Sequence, residues 1–210
     1  MNAGACAKVL FVLGFTCSVL LGGETEISTL VVSLSHKSES ERKAAAQKLK
    51  ALGPASKEAA PALISTLKDP DWETRFEAAE ALLAIGPDAV APLLEALKLT
   101  DVEIRSGVTW VLARLNSACI PNLIEGLKNA RPEIRAGAAR ALSRQGAMAV
   151  PQLAAQLASP ALDFRVEAAA VLGLIGPDAK AALPNLIDAL KIKVIAPQHQ
   201  KIADIFSQIG

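Results

Sequence analysis

The sequence predicts an all-α chain, a right-handed α-solenoid of about six antiparallel helix pairs. Three observations carry that prediction. Five arginines, Arg42, Arg75, Arg105, Arg135 and Arg165, recur at intervals of 33, 30, 30 and 30 residues. Hydrophobic residues make up 51% of the chain, yet aromatics are only 3% and Tyr is absent, so the apolar mass is Ala, Leu, Ile and Val. Ala and Leu head the helix-propensity ranking. Finally, 12 Pro and 13 Gly supply the starts and stops that many short helices require.

The first 23 residues differ from the rest. They carry one cation, Lys8, followed by an apolar run from Val9 to Leu21. That run is short for a spanning helix, which needs about 20 residues, and it fits a secretory apolar segment of about 7–15. Residues 1–23 are therefore expected to be an export signal, with an uncleaved anchor or a buried first helix as the alternatives, and the protein is expected outside the cytoplasm. Cleavage would remove Cys6 and Cys17 and leave Cys119 without an intrachain partner. Cys119 shares its register with Ala59, Val90 and Ala149, which makes it a small buried hydrophobe by pattern.

Residues 24–210 are expected to form the array. Three residues after each arginine stands Ala45, Ala78, Val108, Ala138 or Ala168, and seven after it Leu49, Leu82, Leu112, Leu142 or Leu172. Those positions form one apolar stripe at helical spacing. Eleven residues after each arginine comes Gly53, Gly86, Asn116, Gly146 or Gly176, the residue types that end a helix in a left-handed cap. This is the second helix of each pair, helix B.

Helix A follows the stop. Pro61, Pro92, Pro121, Pro151 and Pro184 stand near its start, where a missing N–H costs nothing. Each is followed by a short run with one apolar face, such as "NLIEGL" or "NLIDAL". "GPASKEAAP" and "GPDAKAALP" lengthen two of the connecting loops. Upstream, "ISTLVVSL" supplies the first helix A, and the segment ending at Gly210 supplies a last helix B. Such a pair cannot bury its own apolar face, so neighbours must stack.

The phrase "EIRAGAARALSRQG", with "AVPQL" after it, resembles the short HEAT repeats of phycobilisome-lyase-like proteins, and the likeness covers nearly all of the chain after residue 24. It implies the solenoid, a concave side lined by helix B, and an arginine ladder paired with turn carboxylates such as Asp71 and Asp101 in the same or adjacent units. Unit five offers Asp163, whereas unit four offers only Glu133, so the ladder should be irregular there. The likeness is nearly silent on function, because one fold serves many functions.

Enzyme signatures are missing: there is no GxxxxGK[ST], GxGxxG, HExxH or GxSxG. The two histidines, His36 and His199, stand in opposite end units. A bilin lyase of the resembling kind needs a chromophore groove, and few aromatics are present to line one. No catalytic residue, cofactor or metal is expected. A net charge of +1 gives no general pull toward nucleic acid or an anionic surface, so a membrane would be met only through an uncleaved N-terminal segment.

What remains is the helix-B surface, one, two, five and nine residues after each arginine. It contains Phe76, Glu77 and Glu80 in unit two, Trp110 and Arg114 in unit three, and Arg140 and Arg144 in unit four, with Trp72 one turn before Phe76. Trp and Arg are common interface anchors. These eight residues are the candidate site for a protein or peptide, with the arginines receiving carboxylates and Glu77 and Glu80 giving the face a change of sign. The bland alternatives are a Trp110 packed between helices and arginines that are simply solvated. Gly107 and Gly137 each cost about 1 kcal/mol relative to Ala within a helix, and they are read as room for a partner. The expected function is a non-catalytic scaffold. A lyase-like protein handling a bilin or other small ligand, and a purely structural spacer, are the alternatives.

Overall fold

The computed structural model describes residues 26–191 together with 204 and 209. The expected signal segment and most of the last helix B lie outside the described residues. Helix α1 spans 26–33. It is followed by α2 (Glu39–Leu52), α3 (Ala60–Thr66), α4 (Trp72–Ile85), α5 (Pro87–Ala96), α6 (Val102–Arg114), α7 (Ile120–Gly126), α8 (Pro132–Gln145), α9 (Val150–Gln156), α10 (Leu162–Ile175) and α11 (Leu183–Lys191). No strand is present among the described residues.

The even-numbered helices pack on one another as a B layer, α2 on α4 through to α8 on α10, and the odd-numbered helices from α3 to α11 do the same as an A layer. The leucine column is the seam between the layers. Leu49, Leu82, Leu142 and Leu172 are wholly buried and Leu112 nearly so. Cys119, Ala59, Val90 and Ala149 are wholly buried in their shared register, as the pattern predicted. Burial pushes the Cys119 thiol upward, because a thiolate loses its solvation there.

Three details depart from expectation. Gly53, Gly86, Gly146 and Gly176 do take positive φ, from 54 to 73°, but ψ near −130 to −139° puts them outside the left-handed helical region. Where Asn116 fills that register φ is −82°, and α6 stops earlier, at Arg114. The two long connections are 3-10 turns, Gly53–Ala59 and Gly176–Ala182, rather than open loops. Pro92 sits inside α5, because Gly86 and Pro87 already start that helix.

The arginine ladder is real, but its acceptors are chiefly backbone carbonyls, with a turn carboxylate of the adjacent unit only at Arg42. One terminal nitrogen of each guanidinium donates to the carbonyls five and six residues before it. Arg75 reaches Asp69 O at 2.7 Å and Pro70 O at 3.0 Å, and Arg105 reaches Leu99 O and Thr100 O at the same two distances. Arg42, Arg135 and Arg165 repeat the pattern. Each arginine therefore closes the turn that delivers helix A to helix B within its own unit, satisfying carbonyls that no helix can. Asp71 and Asp101 are occupied as helix caps: Asp71 accepts from Thr74 N at 2.7 Å, and Asp101 from Glu103 N and Ile104 N at 3.1 and 3.2 Å. Where carboxylates do join the column they come from the following unit. Asp69 pairs with Arg42, and Glu167 pairs with Arg135 at 3.0 Å, so unit four, where the ladder was expected to be irregular, keeps both its carbonyl contacts and a carboxylate.

Candidate interaction surface

The outward side of the B layer carries two adjoining grooves. One, of about 630 Å³, lies between α4 and α6, with Phe76, Val102 and Trp110 on its walls. The other, of about 1010 Å³, lies between α6 and α8, with Trp110 on one wall and Arg140 and Arg144 on the other. Trp110 is thus the ridge between them. It is 40% exposed and meets Phe76 edge-on, with ring centroids 6.4 Å apart. The guanidinium of Arg114, one turn along α6, lies 4.7 Å from the centre of its ring. Both readings of Trp110 therefore hold in part: it packs against a neighbouring helix and still shows a face to solvent.

The other candidates divide. Trp72 is 64% exposed and stands one turn before Phe76 on α4, yet lines neither groove. Arg140 and Arg144 are exposed, with no carboxylate partner among the described residues. Glu77 and Glu80 are already engaged, which overturns their role as free charges orienting a peptide. Lys50 of α2 reaches Glu77 at 3.3 Å and Glu80 at 4.0 Å, and Gln47 donates to Glu77 at 3.1 Å. The change of sign foreseen along the face is reduced by a neighbouring helix, one lysine serving both carboxylates.

The glycines also have a reason the sequence did not disclose. A Cβ on Gly107 would lie 2.9 Å from Leu67 Cβ, and one on Gly137 would lie 2.2 Å from Leu97 Cδ1. Both glycines first serve close packing of helix B on the end of a preceding helix A. The two obstacles differ in kind. Leu67 is buried and its Cβ is fixed to the backbone, whereas Leu97 Cδ1 is the tip of a half-buried side chain that can turn aside. Gly107→Ala should therefore lower the thermal midpoint despite the roughly 1 kcal/mol gain in helix propensity, while Gly137→Ala should leave it level or raise it. The reverse order in a calorimetric comparison would show that these contacts do not set the helix spacing.

Among the described residues no group of three or more His, Cys, Asp or Glu could hold a metal ion, and no helix is long and apolar enough to cross a membrane. The site offers a shaped apolar ridge, cations and exposed walls.

A family model for HEAT repeats matches residues 27–113, 90–163 and 120–194. The chain belongs to the HEAT-repeat family. No curated protein matches it. Among solved structures this HEAT-repeat chain is similar to an engineered protein at 22% identity, covering 87% of this chain and 96% of that one, with a TM-score of 0.36. A designed armadillo repeat protein in complex with the peptide (KR)4 matches at 17% identity, 87% and 98% coverage, and a TM-score of 0.35. The complex of CpcE and CpcF of phycocyanin lyase from Nostoc sp. PCC7120 matches at 19% identity, 86% and 98% coverage, and the same score of 0.35. These likenesses are distant, and the assignment rests on the repeat match.

Proposed function

We propose that this HEAT-repeat chain is a non-catalytic scaffold whose helix-B face binds a protein or peptide. The observation that supports this most is the conjunction around Trp110: two adjoining grooves, a half-exposed aromatic ridge, and the arginines 140 and 144 without an acidic partner. On α2, by contrast, Lys43 is spent on Glu73 and Lys50 on Glu77. A face assembled in advance by layer packing loses little freedom on binding, so its contacts convert efficiently into affinity.

The test is capture of a partner from an extract of the native cells by the full chain, beside a variant carrying Trp110→Ala, Arg140→Glu and Arg144→Glu. All three side chains are exposed, so circular dichroism should report an unchanged fold. A partner held by the parent and lost by the variant is the expected result. A partner held equally by both would move the site off this face. A coloured molecule copurifying with the chain, and no protein partner, would favour the lyase-like reading instead.

A further inference from the structure

We infer that the partner enters as an extended segment laid across α6, with an apolar side chain in the α4–α6 groove and an acidic side chain three residues away in the α6–α8 groove. This rests on the reading of the helix-B face as the binding surface and deepens it.

The starting point is one register of the repeat. Two residues after the arginine stand Glu77, Gly107, Gly137 and Glu167. At the flanks that position carries a carboxylate bridging to the preceding helix B: Glu77 takes Lys50 and Gln47 of α2, and Glu167 takes Arg135 of α8. In the two middle units it carries glycine, so no carboxylate at this register bridges α6 to α4 or α8 to α6. The two grooves beside Trp110 lie at these glycines, and a third of about 600 Å³ lies beside the Arg135–Glu167 bridge itself.

Their chemistry is unequal. In the α4–α6 groove most of the charge is committed: Asp69 to Arg42, Lys68 to Asp101, and Arg75 to backbone carbonyls. What it offers a visitor is Phe76, Val102 and the near face of Trp110, an apolar seat. In the α6–α8 groove Arg140 and Arg144 stand one turn apart on α8 without an acceptor, against the single carboxylate of Glu133. Charge complementarity there selects an acidic side chain.

Spacing selects the conformation. Neighbouring packed helices lie about 8–10 Å apart. A polyproline-II segment rises about 3.1 Å per residue with three residues per turn. Residues i and i+3 therefore fall on one side about 9 Å apart, enough to fill successive grooves across the Trp110 ridge. An α-helix, about 10–12 Å across with its side chains, is too broad to enter both.

The experiment measures fluorescence anisotropy of labelled peptides titrated with the full chain up to millimolar concentration. The probe contains Leu-Pro-Pro-Glu. Its controls are Leu-Pro-Glu, Leu-Pro-Pro-Pro-Pro-Glu and Leu-Pro-Pro-Lys in the same flanks. The probe should bind at least about tenfold more tightly than every control, and Arg140→Glu with Arg144→Glu, or Trp110→Ala alone, should each cost about tenfold or more, as anchor residues do. Equal binding of all acidic peptides would overturn the inference in favour of unspecific charge attraction. No peptide binding, with a cellular partner still lost by the triple variant, would overturn the extended segment and leave the scaffold reading standing. Failure of both would remove the face itself. Phosphatidylglycerol vesicles form a separate arm: sedimentation with them, abolished by the same variant and unaccompanied by peptide binding, would make this a membrane face and also overturn the inference.

Discussion

Leu142→Ala should destabilise the chain by about 2–5 kcal/mol, lowering the thermal midpoint by roughly 4–20 °C for a protein of this size. Leu142 is wholly buried on α8, which packs against α5, α6, α7 and α10. Truncation there removes apolar contacts from both layers at once, and helices held on four sides cannot collapse far to fill the space. Because each unit of a solenoid contacts only its neighbours, the loosening should be local, with faster amide exchange in α6, α8 and α10 than in α2 and α4. Leu174→Ala is the control. Leu174 is 64% exposed, and its loss should change stability by less than about 0.5 kcal/mol. Equal effects of the two substitutions would show that the leucine column is not the seam between the layers.

Acid should weaken the fold through Asp69. Burial alone would raise its pKa, but the paired hydrogen bonds from Arg42 at 2.6 and 2.8 Å, with Asp71 N at 2.9 Å, outweigh it and hold the carboxyl below its ordinary value. Asp71 moves the same way, chiefly through the Thr74 hydroxyl, and Asp101 does so chiefly through Lys68. A carboxyl that binds its proton less tightly when folded contributes stability in full above its unfolded pKa, about 3.9. That contribution is lost as pH falls through the lower, folded value. The thermal midpoint should therefore change little from pH 7 to 5 and drop below about pH 4. Asp69→Asn should melt earlier than the parent at pH 7, because Arg42, only 13% exposed along its side chain, loses its counter-ion. Its curve should also be shallower below pH 4. A variant curve parallel to that of the parent down to pH 3 would remove Asp69 from the account.

The candidate surface was legible in part, and its residues show where legibility stops. Phe76, Trp110, Arg140 and Arg144 could be placed on one side of helix B because helical periodicity is a local property, and the grooves they line do lie there. The contact between Phe76 and Trp110 joins residues 34 positions apart, and it was only implied by the repeat. Glu77 and Glu80 looked like free charges because their partner, Lys50, lies a whole unit upstream on a helix whose rotation the pattern leaves open. Gly107 and Gly137 looked like an accommodation for a partner, since nothing near them in sequence names Leu67 or Leu97 as the side chain beneath.

By itself the sequence determined the repeat, the buried columns and the helix stops. Each depends on spacing within one unit or between equivalent positions, and burial of an amphipathic stripe enforces it whatever the neighbours are. Only the tertiary structure decided where the polar groups went. The arginines turned to backbone carbonyls, which look the same behind every side chain and leave no mark in a sequence. Asp71 and Asp101 became helix caps, while Asp69 went to Arg42. Which charges stayed free depended on the stacking of α2, α4, α6, α8 and α10, since a long side chain pairs with whatever lies within its reach, and stacking sets that reach.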